Sequence, residues 1–526
     1  MPMKDMLRIH QIRCDIGHTP DAEDIARKLH CSTEDVISFE IEKESLDARK
    51  DDLHYSYTVL ARIRNGHRYI RKKDVSEGRK EIYQMPQRNK GITERPVIIG
   101  FGPAGMYAAL ILAECGYRPI VIERGRCVEQ REKDVDAFFK EGILLPSSNV
   151  QFGEGGAGTF SDGKLTTRIK NIRISKVLQE FVEAGADPAI TYQHRPHIGT
   201  DVLRTIVHNI REKIISLGGE IHFETVLLSL QIKDGSITGI VTDKGKIPCT
   251  AVILCAGHSA SDTYQNLYDQ GVSMIQKDFA SGVRVEHPQI LINRLQYGKY
   301  ADHPSLGAAS YRLSHTASNG RGVYSFCMCP GGVIVPSSCI ENTLCVNGMS
   351  YSARDGKYAN SAILVQIPSS DFDHGHPLDG FAYQKQLEQL AYRNGYGAPA
   401  MNISDYVSHH SPSPLVHDSS YPRQLITEDM HTLFSDEVNA AMEEGFQAFE
   451  HKIPGFIDQG IMVGMESRSS SPIRIVRDEN GESITIKGLY PCGEGAGYAG
   501  GIVSSAVDGI HQAENVIACL CKTDRM

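Results

Sequence analysis

Three patterns of apolar and polar residues recur along this chain, and each predicts a different element. Short unbroken apolar runs, Pro96-Val-Ile-Ile99, Pro119-Ile-Val-Ile122 and Ala251-Val-Ile-Leu-Cys-Ala256, read as buried strands. A longer apolar stretch, Met106 to Cys115, lies between the first two and ends at Gly116, which predicts a buried helix. Thr200–Leu217 places apolar residues at 203, 206, 207, 210, 214 and 217, the spacing of a half-buried helix. Ile221 to Val241 reads as strands around an Asp234-Gly235 turn, and Val333–Pro336 and Ile363–Ile367 as further short strands. Strict alternation at Ile37, Phe39 and Ile41, and at Tyr55, Tyr57 and Val59, predicts two more. With a strand over Met6–Ile12 and a helix from Thr19-Pro20 to about His30, capped by the threonine, the first 63 residues form a small β-α-β-β module.

The turn between the first buried strand and its helix is Gly100-Phe-Gly-Pro-Ala-Gly105. Gly100 makes the tight turn, Gly102 lets backbone approach a pyrophosphate, and Gly105 lets helix pack on strand. Pro103 and Ala104 open the helix, whose N-terminus offers N–H donors to phosphate. The second strand ends at Glu123-Arg124, with the acid placed to accept from a ribose hydroxyl. Strand, glycine turn, helix, strand and acid within about thirty residues predict a dinucleotide site.

Two further glycine clusters exceed what NAD alone requires. Gly153-Glu-Gly-Gly-Ala-Gly-Thr-Phe-Ser-Asp-Gly163 contains Gly156, Gly158 and Thr159; Gly493-Glu-Gly-Ala-Gly-Tyr-Ala-Gly-Gly501 runs into a helix from Ile502 to about Leu520. FAD carries a ribityl chain and an isoalloxazine ring that need close backbone approach, so these clusters predict FAD. Gly500, Gly501 and Ile502 aim a helix N-terminus at the pyrimidine edge of the ring, where reduced flavin is negative. Gly493 and Glu494 approach the ribityl or ribose hydroxyls, and Gly257 ends the buried strand where nucleotide sites gather.

At these clusters the chain resembles the two-dinucleotide-binding-domain flavoproteins, and more closely a bacterial family of uncharacterised FAD-dependent dehydrogenases. The resembling segments also include Ala256-Gly-His-Ser-Ala-Ser-Asp262, Gly282-Val-Arg-Val-Glu-His-Pro-Gln289, Phe326-Cys-Met-Cys-Pro-Gly-Gly332 and Asn347-Gly-Met-Ser350. Together they cover most of 96–520. The resemblance implies one bound FAD and an α/β fold: a Rossmann-like FAD-binding domain interrupted by an α+β substrate domain, with a small α+β N-terminal domain. The expected boundaries are 1–90 for the N-terminal module and basic linker, 91–264 and 456–526 for the two parts of the FAD-binding domain, and 265–455 for the insertion. Many such flavoproteins have Asp where this chain has Glu494.

In the expected chemistry flavin N5 exchanges hydride with a small-molecule substrate, and the protein positions groups and protons. Lys164 is a candidate to reach N5 or a substrate carboxylate. Arg284 is a candidate anion clamp and His287 a candidate proton donor. Asn347, Met349 and Arg354 are candidates to complete the pocket, and His258 to contact FAD. NAD(P)H is a candidate transient electron donor; only one dinucleotide fingerprint is present, so it would share the cleft.

Composition narrows the rest. The 526 residues carry a net charge of −9, which opposes general nucleic-acid binding. Residues 62–90 hold ten Lys or Arg against three acids, a solvated linker or an RNA-holding face. An RNA-modifying flavoprotein and a non-catalytic FAD-holding redox sensor are the alternatives to a metabolic enzyme. No run of 18 apolar residues and no N-terminal apolar segment occur, which predicts no membrane association. Thirteen scattered cysteines with no CxxC suit a reduced, cytoplasmic protein without a metal site. Cys327-Met-Cys329 would place two thiols on one strand face; whether they are redox-active is open.

Overall fold

The computed structural model describes residues 6–47, 52–89, 91 and 93–523. Its centre is a five-stranded parallel sheet in the order Leu489–Pro491, Val252–Leu254, Val97–Ile99, Ile120–Ile122, Glu220–His222. The strands run in register: Leu254 pairs with Pro491 and Ile99, Ile99 with Ile122, and Ile122 with His222. Their carboxyl ends therefore lie on one line, and whatever follows them in sequence is brought to one edge. Parallel strands buried on both faces need unbroken apolar sequence, which is why these runs do not alternate.

Pro103–Glu114 is the helix of the glycine turn. All ten residues from Ala104 to Ala113 are buried, because sheet, C-terminal helix and the helix Thr200–Ser216 enclose it. Two glycines permit that packing. A Cβ on Gly105 would lie 1.9 Å from the Gly100 carbonyl oxygen, and one on Gly509 would lie 2.1 Å from that of Ala104. The C-terminal helix, Ile502–Thr523, thus rests directly on the backbone at the start of the helix that follows the glycine turn.

The inserted domain is a seven-stranded sheet in the order Ser314–Thr316, Gly322–Cys329, Tyr358–Ile367, Phe279–Pro288, Ile461–Glu466, Ala398–Asn402, Leu425–Thr427. Asp436–Glu450 packs on it and closes a separate core around Phe446, Phe449 and Phe456. The expected boundary at 455 falls short, because Ile461–Glu466 pairs with Phe279–Pro288 inside this sheet. The chain crosses between the domains where Met274–Gln276 pairs with Ile473–Ile475.

The N-terminal module is a four-stranded sheet in the order Val36–Asp47, His54–Ile63, Met6–Cys14, Val75–Glu77, with one helix, Ala22–Leu29. That helix starts later than Thr19-Pro20 predict. Asp21 caps it, accepting from the N–H groups of Glu23 (2.9 Å) and Asp24 (3.0 Å), while the Asp24 carboxylate accepts from the Asp21 N–H (3.1 Å). A reciprocal acid pair satisfies more of the free N–H groups than a lone threonine. In the basic stretch Arg64 approaches Asp35 (3.8 Å), Lys80 pairs with Glu40, and Lys72 donates to the Leu29 carbonyl. Lys90 and residues 1–5 lie outside the described residues. No helix among the described residues is long and apolar enough to cross a membrane.

The contact of Gly509 with the turn gives a direct expectation. Gly509→Val should cost about 1–3 kcal/mol, as overpacking does, in a urea melt and should weaken FAD uptake as well. An unchanged melt would mean the two helices can separate freely.

Candidate functional site

The aligned strand ends deliver Gly100, Glu123, Cys255-Ala256-Gly257 and Cys492-Gly493 to one edge. There a cleft opens, lined by residues of all three glycine clusters together with inserted-domain side chains. Gly100, Gly102, Pro103 and Ala104 form its floor. Gly156 closes on Gly102 so tightly that a Cβ on Gly156 would lie 3.0 Å from the Gly102 Cα. Gly158 lines the cleft beside them, so near Ile502 that a Cβ on Gly158 would lie 2.9 Å from Ile502 Cγ1, and Gly500 and Gly501 line the cleft as well.

Glu123 is 5% exposed and holds this edge together. Its carboxylate accepts from the N–H groups of Phe101 (2.8 Å), Gly125 (2.8 Å) and Gly153 (3.2 Å). The sequence predicts only a ribose partner; the structure adds a fastening between the first and second glycine loops. Arg124 lines the cleft with its guanidinium 4.8 Å over the Phe152 ring, paired with Asp262 at 2.8 Å. Behind the third loop, Asp508 of the C-terminal helix accepts from the Gly493 N–H at 2.8 Å and pairs with Arg477.

Not every expected cofactor residue lines the cleft. Gly105 and Gly493 lie behind it as packing and turn positions, Gly493 with φ 79°. Thr159 is fully buried beneath the second loop. Gly257 and Glu494 do line the cleft, and Glu494 lies 3.1 Å from His258 Nδ1.

The inserted domain supplies the other wall: Phe326, Cys327, Asn347, Glu466, Arg468 and Ser469. Two buried ion pairs stand in it. Arg284 Nη1 donates to both Glu466 oxygens (2.7 and 3.0 Å), and Arg468 meets Glu388 through Nε (2.7 Å) and Nη2 (2.8 Å). Buried pairs of this kind are costly to break because the survivor is left charged in a dry site.

The expectations for the three catalytic candidates change here. Arg284 is 0% exposed, and its guanidinium is also taken by Asn360 Oδ1 (2.8 Å), the Cys327 carbonyl and Cys329 Sγ (3.2 Å). It is not a substrate clamp; it shapes the wall from behind. His287 is also 0% exposed, with Nε2 2.8 Å from the Phe456 carbonyl and its ring against that phenyl. Burial pushes its pKa down to about 4, so it is a core histidine and no proton donor to the cleft. Strand alternation placed both residues correctly on a strand, but the strand is central in its sheet and covered on both faces. Lys164 does not line the cleft: it donates to the Met328 carbonyl and lies 3.3 Å from Asp162. Arg354 pairs with the same Asp162 at 2.9 Å.

Sequence reasoning missed Glu466 and Arg468. The signal was available as two charges closing the apolar run Ile461–Met465, where a solvated loop would be the ordinary reading.

The site fits a flat, polar-edged cofactor on two observations. A Cβ added to Gly257, Gly500 or Gly501 would meet nothing within 4 Å, so these positions border open space that any side chain would occupy. His258 Nε2 is buried without a hydrogen-bond partner among the described residues. A cradle bordered by bare backbone, with an orphaned polar atom in it, suits a nucleotide cofactor.

These features define a nucleotide-binding α/β protein of flavoprotein type. Residues 278–469 match the family described as FAD-dependent protein, C-terminal domain-like, and residues 6–62 match a domain of unknown function. An uncharacterised protein of Clostridium beijerinckii is 46% identical over 511 residues, covering 94% of this chain and 95% of the relative. The chain belongs to that family of FAD-dependent proteins. Similar solved structures include glycine oxidase from Bacillus cereus (12% identity, TM-score 0.31, 81% of this chain and 95% of that one). Another is glycerol-3-phosphate dehydrogenase from Bacillus halodurans complexed with FAD (10% identity, TM-score 0.36, 83% and 66%). Likeness at this level says nothing about the activity.

Gly257→Leu should leave the thermal midpoint of the apoprotein unchanged, because the new side chain meets no protein atom. It should weaken FAD binding at least about tenfold, or about 1.4 kcal/mol, in a fluorescence-quenching titration. Full affinity in this variant would place the cofactor elsewhere.

Proposed function

We propose that the protein is a cytoplasmic FAD-dependent oxidoreductase, a dehydrogenase that moves hydride between the flavin and a small-molecule substrate. The observation that carries this reading is the meeting of three glycine loops, near residues 100, 156 and 500, around one cleft. When bound, FAD supplies hydride acceptance and donation at N5.

The chain's own groups then have separable tasks. The N–H groups of Ala104 and Gly105 and the dipole of that helix offer a seat for phosphate. The start of the C-terminal helix, beside Gly500 and Gly501, offers positive potential that would favour negative charge on a bound, reduced flavin. His258 and Glu494 form a pair 3.1 Å apart at the cleft edge. On the opposing wall Phe326 and Asn347 meet the substrate side, and the Arg284–Glu466 and Arg468–Glu388 pairs fix that wall without offering a free cation. A substrate held here depends on shape and on Asn347, not on an arginine clamp. NAD(P)H would enter the same cleft as electron donor. All thirteen cysteines are free thiols, which suits the cytoplasm.

Purified protein reconstituted with FAD should show the two flavin absorption bands after gel filtration. Under anaerobic conditions the 450 nm region should bleach with NADH, with NADPH, or with a member of a panel of amines and hydroxy acids. A protein that keeps no flavin after reconstitution would sink the reading.

A further inference from the structure

Cys327 stands apart from the other cysteines. It lines the cleft together with residues of the second and third glycine loops. Its backbone is in the left-handed region, φ 42°, inside the strand Gly322–Cys329. Such a conformation in a non-glycine strand residue is costly and is concentrated at functional sites. The cause is a bulge: Phe326 pairs with Ala362 and Cys329 with Asn360, so Cys327 and Met328 together oppose Ser361. Arg284 secures the bulge by donating to the Cys327 carbonyl, and Lys164 secures it by donating to that of Met328.

The same bulge turns Cys329 back towards Cys327. Cys329 Sγ lies 3.2 Å from the Cys327 carbonyl oxygen and receives a hydrogen bond from Arg284 Nη2 at 3.2 Å. The two thiols are themselves within hydrogen-bonding reach. Three cations, Lys164, Arg284 and Arg354, share this region with two carboxylates, Asp162 and Glu466. His197, on the strand segment bridged to Lys164, is held neutral by burial, its pKa pushed down to about 4. Asp162 is shared by two of these cations, Lys164 and Arg354, and Lys164 and Arg284 also stand close enough to Cys327 to favour its thiolate. The hydrogen bond from Cys329, with Lys164 and Arg284 nearby, brings the Cys327 thiol down to about 6, while burial pushes Cys329 well up. A nucleophilic thiolate beside a protonated second thiol is the arrangement needed for exchange with a disulfide.

We propose that Cys327 and Cys329 form a reactive dithiol on the cleft wall, one that reduces small-molecule disulfides and closes to an intrachain disulfide. The placement of this dithiol opposite the flavin rests on the reading of the cleft given above. The Cys327 thiolate attacks one sulfur of a disulfide RSSR; the S–S bond breaks and RS⁻ leaves. Cys329 gives its proton to that thiolate and attacks the Cys327 sulfur, and the second RS⁻ leaves and takes a proton from water. Two cysteines are oxidised to one disulfide, and RSSR is reduced to two thiols.

The test uses the full chain with Cys519, exposed on the C-terminal helix, replaced by serine throughout. At pH 6 the aromatic disulfide 5,5′-dithiobis(2-nitrobenzoate) is added and the released thionitrobenzoate is followed at 412 nm. The parent should give a fast burst of two equivalents. Cys329→Ser should release one and keep the other as a mixed disulfide, visible by intact mass. Cys327→Ser should lose the burst. Lys164→Met, which leaves Asp162 its pair with Arg354, should move the pH midpoint of the burst up by about one unit as a cation is removed. Saturating FAD should slow the burst at least about tenfold by covering Cys327. An unchanged burst in Cys327→Ser, two equivalents from Cys329→Ser, or a rate indifferent to bound FAD would each overturn the proposal. A burst in a protein that takes up no FAD would keep the dithiol and overturn the cofactor reading instead.

Discussion

The Glu123 carboxylate is the fastening on which the cleft depends. It ends the second strand of the parallel sheet and accepts N–H groups from Phe101, Gly125 and Gly153. Charge-assisted bonds of this type contribute roughly 1.5–3 kcal/mol each when buried. Without them the first two glycine loops would keep one backbone hydrogen bond, from the Gly155 N–H to the Phe101 carbonyl (2.8 Å), and the Gly102–Gly156 contact. That contact is itself possible only because neither residue carries a side chain. The loops are therefore joined through one acid and through their own backbones, which leaves bare backbone along the cleft.

A second constraint governs the opposite wall. The inserted domain enters between Gln276 and Ile473, so its central strands must deliver side chains back to the cleft from a separate sheet. It does so with two Arg–Glu pairs that are almost fully buried, Arg284–Glu466 and Arg468–Glu388. Their desolvation offsets much of their attraction, so they add little net stability. What they provide is position: four long side chains locked in one geometry, with the carbonyl and thiol of the Cys327 bulge placed against Arg284. The cleft thus has a glycine-rich backbone side and a charge-braced side from the inserted domain.

Much of the nucleotide side was legible in the chain. Unbroken apolar runs gave the parallel strands, because a strand covered on both faces leaves no room for polar residues. The Gly100–Gly105 spacing and the acid at 123 gave the turn, because each glycine answers a local steric demand. These are short-range effects, and sequence carries them well. The helix cap at Asp21 is a local feature too, and the neighbouring Thr19-Pro20 pattern competed with it.

The substrate side was decided by tertiary structure. Arg284 and His287 lie on an alternating strand, and alternation cannot say whether the second face meets water or another layer. Here both faces are covered, so Arg284 becomes a brace and His287 a core residue. Glu466 and Arg468 enter the site only because Ile461–Glu466 pairs with a strand almost two hundred residues earlier. Long-range pairing of that kind leaves no periodic trace in sequence. The chain by itself determined which glycine-rich segments meet around the cleft; only the folded sheet decided which charged side chains line it.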